Sequence, residues 1–197
     1  MKKALYALLF SVLTLFMIRD SSAGVFDEEN LAEFLQRSCD RGDTVGCLLS
    51  GIFSLDQQAP VAAKSLKKVC DKGELWGCLF LGYVYHQGIG VDQDYFKATA
   101  LYKRACDGKN ALGCLALGDM YYQGEGVRQD YLKAATLYEK ACDGGIARGC
   151  LSLGMMYYEG KGVKQDYSKA KELFGIACDG EIQEGCEMYK KLNEMGY

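Results

Sequence analysis

The chain has little of what most metalloenzymes and nucleic-acid-binding proteins depend on. It holds one histidine, so a zinc hydrolase centre built on several imidazoles is excluded. Its 23 lysines and arginines are outnumbered by 26 acidic residues, giving a formal net charge of −3. No basic stripe is present to neutralise phosphates, which argues against nucleic acid as a partner. Attraction to an anionic membrane surface is disfavoured for the same reason. There is a single proline, so collagen-like and proline-rich chains are excluded despite 24 glycines. Those glycines must serve as punctuation. No motif calls for a cofactor, and none is expected.

The apolar run Ala4–Ile18 is 15 residues long, short of the roughly 20 needed to span a bilayer. Lys2 and Lys3 precede it, and Ser21-Ser22-Ala23 supplies small residues after it. This is the pattern of a signal peptide, residues 1–23, cleaved before Gly24. The mature chain, residues 24–197, is then one domain with no stable membrane span, released to the periplasm or the extracellular medium.

What the chain does have is cysteine, in register. All ten cysteines lie beyond the leader, as Cys39/Cys47, Cys70/Cys78, Cys106/Cys114, Cys142/Cys150 and Cys178/Cys186. Every pair is spaced by eight. From Cys70 onward the pairs recur every 36 residues, whereas the first step is 31. An even cysteine count behind an export leader reads as a disulfide framework. The period divides the chain into units near 39–69, 70–105, 106–141 and 142–177, with a partial unit at 178–197.

Each unit carries two helical patterns. In Ala111–Gln123, residues Leu115, Gly118, Tyr121 and Tyr122 fall on one face, and Gly124 supplies a stop. In Asp130–Cys142, Asp130 can cap the N-terminus and Ala134, Leu137, Tyr138 and Ala141 form the apolar face. The unit is therefore a helical hairpin that must stack on its neighbours to bury that face, an all-α solenoid. Gly82, Gly118 and Gly154 share one helix position, where glycine costs about 1 kcal/mol. Close helix approach accounts for them. Ala98, Ala134 and Ala170 do the same in the second helices.

A helix running through both members of a cysteine pair would hold their Cα atoms about 12 Å apart. A disulfide needs roughly 4.4–6.8 Å. A turn must lie between them, and Gly73, Gly108, Gly144-Gly145 and Gly180 stand there to make it. Each bond then joins the second helix of one hairpin to the first helix of the next.

The residues C-L-x-L-G-x-x-Y-x-x-G-x-G-V-x-Q-D-Y-x-K-A-x-x-L-Y-x-x-A-C at Cys114–Cys142 resemble the Sel1-like repeat. With a cysteine pair in every unit and an export leader, the chain is similar to the Helicobacter cysteine-rich proteins over residues 39–197. The resemblance implies a right-handed α/α superhelix with a disulfide in each repeat, and export. It also implies either penicillin binding and weak β-lactamase activity or interaction with a host. The first unit departs from the pattern, with Leu55–Pro60 in place of the G-x-G-V-x-Q-D turn.

Serine β-lactamases use S-x-x-K together with S-D-N and K-T-G. Ser65/Lys68 and Ser168/Lys171 match the first element, but at different repeat positions, and the other two elements are missing. No catalytic residue and no metal ligand is assigned. The tyrosines are the better lead. Tyr85, Tyr121 and Tyr157 form a column that reads mostly as core. His86, Tyr122 and Tyr158 form a second column placed to reach a groove. Positions that vary between units, such as Tyr83, Asp119 and Met155, are where a solenoid encodes specificity. The reading is a binding scaffold for a peptide, a cell-wall fragment or a host protein. A weak β-lactamase acting on penicillins or cephalosporins is the alternative that the resemblance brings.

Overall fold

The second helices of the repeats begin at the repeated aspartates, and the first helices end at the repeated glycines. The computed structural model describes residues 28–57 and 59–197, with side chains for 33–53 and 61–197. The leader at 1–23 and its cleavage site before Gly24 lie outside the described residues. Ten helices and no strand occur among the described residues. They are α1 (Glu28–Asp40), α2 (Thr44–Gln57), α3 (Ala59–Asp71), α4 (Leu75–Gln87) and α5 (Tyr95–Asp107), followed by α6 (Ala111–Gln123), α7 (Tyr131–Asp143), α8 (Ala147–Glu159), α9 (Tyr167–Asp179) and α10 (Gln183–Glu194). The Leu55–Pro60 segment that departs from the repeat covers the end of α2 and the start of α3, and position 58 within it lies outside the described residues.

The hairpins are α2–α3, α4–α5, α6–α7 and α8–α9. Each helix packs on the helices before and after it in the chain, and α2 also touches α4. This is the one-dimensional stacking of an α/α solenoid. One apolar core runs unbroken from Leu66 to Leu192. Second helices give it Ala98, Ala134 and Ala170, each fully buried, together with Tyr102, Tyr138 and Phe174. First helices give it Leu81, Leu117 and Leu153 and, one turn on, Val84, Met120 and Met156.

The 36-residue period is written in capping chemistry. Gly88, Gly124 and Gly160 end α4, α6 and α8 in the left-handed conformation. The Asp94, Asp130 and Asp166 side chains each accept a hydrogen bond from the backbone N–H three residues on, at 2.9, 3.0 and 2.9 Å. Their own N–H groups donate back to the carbonyls of Tyr85, Tyr121 and Tyr157. The neighbouring glutamines, Gln93, Gln129 and Gln165, donate to the carbonyls of His86, Tyr122 and Tyr158 at 2.8–2.9 Å. The Q-D pair of the motif thus satisfies carbonyls that a helix end leaves orphaned, and starts the next helix.

The glycines within helices answer to packing. A Cβ at Gly118 would lie 2.8 Å from the Tyr138 ring, and one at Gly82 2.7 Å from the Tyr102 ring. The second glycine of the G-x-G turn is equally constrained, because a Cβ at Gly126 would meet the Tyr95 carbonyl of the preceding hairpin at 2.2 Å.

Five disulfides clamp the hairpin junctions: Cys39–Cys47, Cys70–Cys78, Cys106–Cys114, Cys142–Cys150 and Cys178–Cys186, with Cα atoms 4.2–4.6 Å apart. Each links the last turn of one hairpin to the first turn of the next. No cysteine is free. This places the folded chain in an oxidising, extracytoplasmic environment. No described helix is long and apolar enough to cross a membrane.

One detail of the junctions differs from the sequence reading. Gly73 and Gly145 have positive φ, as a glycine turn requires, but Gly108 and Gly180 do not. There the left-handed residue is the next one, Lys109 at φ 70° or Glu181 at φ 63°. Gly108 is instead needed for space: a Cβ on it would lie 2.3 Å from Leu75, at the start of the hairpin's first helix. Gly180 stands in the same way against Ala147.

Candidate functional site

Almost every recurring residue is used up inside the chain. The cysteines are bonded, the Q-D pairs cap helices, and the glycines make room. The tyrosine columns are engaged as well. Tyr85, Tyr121 and Tyr157 are half-buried against the core rather than within it. Lysines of the following helix cover their outer ring faces, with Lys97, Lys133 and Lys169 at 5.0, 5.2 and 4.5 Å from the ring centroids. Those lysines begin the turn that Asp94, Asp130 and Asp166 cap. Donation by the Lys97 and Lys133 N–H groups holds the Asp94 and Asp130 carboxyls below the usual carboxylate range.

His86, Tyr122 and Tyr158 are also half-buried, at the hairpin-turn end of each first helix. Their rings pack on aromatics of the second helix: His86 on Tyr95 and Tyr102, Tyr122 on Tyr131 and Tyr138, Tyr158 on Tyr167 and Phe174, at 5.2–6.5 Å. Their polar atoms reach forward along the solenoid. His86 Nε2 lies 2.9 Å from a Glu125 carboxylate oxygen, and Lys161 donates to the Tyr122 hydroxyl at 3.2 Å. Lys191 donates to the Tyr158 hydroxyl at 3.0 Å. The boundaries that follow α5, α7 and α9 are therefore tied at both ends, by a disulfide at one and by a polar contact to an aromatic column at the other.

The Ser-x-x-Lys pairs do not form catalytic dyads. Ser65 is buried, with its hydroxyl on the Gln36 side-chain oxygen, while the Lys68 ammonium pairs with Asp40 at 3.1 Å. Ser168 is exposed, and Lys171 donates to the Tyr197 carbonyl. In neither pair does the lysine hydrogen-bond the serine that it would have to activate.

What stays open is the outward side of the first helices, at positions that do not recur. On α4, Trp76, Phe80 and Tyr83 follow one another at helical spacing. Trp76 and Tyr83 are 47% and 45% exposed, and Trp76 stacks on Phe80 at 6.1 Å between centroids. In α6 the same places hold Leu112, Ala116 and Asp119, and in α8 Arg148, Ser152 and Met155. On α2 they hold Val45, Leu49 and Ile52, with Val45 exposed. The face thus runs from apolar and aromatic at its N-terminal end to charged at its C-terminal end. Tyr83, Asp119 and Met155 were legible as variable positions. Trp76 and Phe80 were missed, although an aromatic where sister repeats carry Arg148 and Ser152 was a signal of the same kind.

Asp119 is the charged group that this face desolvates. Tyr138 donates to its Oδ1 at 2.8 Å. Burial lifts its carboxyl above the usual carboxylate range, against that bond and against Arg148. Burial likewise pushes the Tyr102 and Tyr138 phenols up, and the Asp119 charge adds to the effect on each.

The Sel1 repeat model matches three segments, residues 77–110, 111–146 and 147–181. Among solved structures, the chain is similar to Helicobacter pylori cysteine-rich protein B, with 31% identity over 67% of this chain and 98% of that one and a TM-score of 0.54. A Sel1 repeat protein from Oxalobacter formigenes superposes with a TM-score of 0.74 at 20% identity, over 86% of this chain and 78% of that one. A protective antigen of uropathogenic Escherichia coli aligns at 22% identity with a TM-score of 0.57, over 92% of this chain and 48% of that one. These last two likenesses concern the fold alone. No curated protein matches the chain.

Proposed function

The chain belongs to the Sel1 repeat family, and from that premise we propose that it is an exported binding scaffold whose ligand face is the outward side of its first helices, with an extended polypeptide segment as ligand. One observation carries the reading. The recurring residues are consumed in caps, clamps and close approaches, and the exposed rings of Trp76 and Tyr83, on either side of the half-buried Phe80, have no such task. Exposed tryptophan and tyrosine are the residues that most often anchor protein interfaces, because a large ring is desolvated at small entropic cost. Disulfides at every junction keep the face in one shape, so that little ordering remains to oppose binding. His86, Tyr122 and Tyr158 border the face one turn further along the same helices. Slow β-lactam hydrolysis gains no support from the two Ser-x-x-Lys matches.

Selection of random twelve-residue peptides on the oxidised protein tests the proposal. Selected peptides should bind Trp76→Ala and Tyr83→Ala at least ten-fold more weakly than the unaltered chain. They should bind Phe96→Ala, an exposed aromatic on a second helix, unchanged. Peptides indifferent to both first-helix changes would sink the reading. Export past the leader is tested separately, by N-terminal sequencing of protein recovered from periplasm and medium. A chain beginning at Gly24 in one of the two is the expected result, and a retained Met1 in both would overturn it.

A further inference from the structure

The five disulfides are alike in spacing and unlike in cover. In Cys39–Cys47, Cys70–Cys78 and Cys106–Cys114 both residues are buried. In the fourth bond Cys150 is buried and Cys142 half-buried. In Cys178–Cys186 both residues are half-buried. Stacking accounts for the difference. The first two joints are shielded by the second helix of the hairpin that follows, from which Lys68 donates to Cys39 Sγ at 4.0 Å and Arg104 to Cys70 Sγ at 3.5 Å. The Cys178–Cys186 joint links α9 to α10, and α10 packs chiefly on α9.

Apart from this bond, α10 is lightly held. Its buried residues are Gly185 and Leu192, against six on α8. Gly185 packs on Ala177, and Lys191 donates to the Tyr158 hydroxyl at 3.0 Å. Inside the loop that the bond closes, Glu181 sits at φ 63°, a left-handed conformation that is unfavourable for a residue with a Cβ. Opening the loop frees it.

We propose that Cys178–Cys186 is a thiol-exchange site for a dithiol reductant, and that its reduction releases α10 from α9. One thiolate of the dithiol attacks a sulfur of the pair. The Cys178–Cys186 bond breaks, the attacked sulfur enters a mixed disulfide, and the other leaves as a thiolate. The second thiolate of the dithiol then displaces the remaining cysteine. Two electrons pass to the chain, whose two sulfurs take up protons as thiols, and the dithiol becomes a disulfide. Two effects compete in setting which bond opens first. The cation beside Cys70 would stabilise a departing thiolate there. But that pair is buried, so an attacking thiolate has no path to it until the joint opens, and access decides the order. Without the bond, the few buried residues of α10 no longer hold it. Its release uncovers Ala177 and takes Lys191 away from Tyr158. The repeats before it keep their own core and remaining clamps. None of this depends on what the first-helix face binds.

The test treats the folded, oxidised chain with dithiothreitol and traps new thiols with N-ethylmaleimide at timed intervals. Peptide mass spectrometry then locates the label. Cys178 and Cys186 should be labelled at least about ten-fold faster than Cys70 and Cys78, as access-limited exchange requires. Reduction of all five bonds together, or of Cys70–Cys78 first, would overturn the site. Hydrogen exchange on the chain reduced at this one bond is the second readout. Protection should fall in α10 and persist in α4–α7, and the double variant Cys178→Ser, Cys186→Ser should show the same pattern with no reductant. An α10 that stays protected after its bond is reduced would overturn the release.

Discussion

Gly154 lies so close to Phe174 that an added Cβ would sit 2.8 Å from the ring, and Phe174 is fully buried. Alanine has the better helix propensity, by about 1 kcal/mol. The ring cannot yield, so overpacking at about 1–3 kcal/mol wins and Gly154→Ala should destabilise the chain. In a Phe174→Leu background the same change should cost less, and denaturant titration of the four chains closes the cycle. Asp119 makes the second residue-scale prediction. Its folded-state carboxyl titrates above the unfolded one because burial disfavours the charge. The sign follows: its contribution is fully present below the unfolded value and is lost as pH rises through the folded one. Asp119→Asn should therefore raise the melting temperature at neutral pH, and the difference should vanish at pH about 3 and below, under the unfolded carboxyl's ordinary range. A constant difference across pH would contradict the burial argument. The charges facing Asp119, namely Arg148, His86 and Glu125, remain in both proteins.

At the scale of the element, the hairpin junction is the unit to perturb. Each disulfide closes a nine-residue loop, worth about 2.5 kcal/mol by the chain-entropy relation. Replacing Cys106 and Cys114 together by alanine should lower the unfolding free energy by about that amount. Hydrogen exchange should rise mainly in α5 and α6, since these helices pack chiefly on the helices before and after them. A uniform rise along the chain would contradict the one-dimensional stacking. The helices themselves were legible in the sequence, because Ala111–Gln123 and the Asp130 cap follow from capping and periodicity. The role of Gly108 was not. A glycine before a turn looks the same in sequence whether it supplies a positive φ or space, and only the 2.3 Å approach to Leu75 separates the two.

For the whole molecule, α10 matters because it covers the apolar side of α9. Its Gly185 would place a Cβ 2.8 Å from Ala177, and its Leu192 is fully buried while most of the helix is exposed and polar. A chain ended after Glu181 should expose the apolar side of α9 and bind the dye ANS. It should also lose exchange protection first in α8 and α9, with α4–α7 following least. Loss of protection throughout would mean that the solenoid folds as one indivisible unit.

The amino-acid sequence alone determined the repeat, the helix type and the cysteine clamp. These depend on local spacing: 3.6-residue periodicity, capping residues, and the short reach of a disulfide. The tertiary structure decided which side chains remain available. His86, Tyr122 and Tyr158 recur like groove residues, yet their polar atoms are taken by Glu125, Lys161 and Lys191 from further along the chain. Trp76 and Tyr83 stay exposed, and Asp119 half-buried with one donor. Exposure depends on which neighbour covers a residue, and in a solenoid that neighbour comes from another repeat, some thirty to forty residues away in the chain.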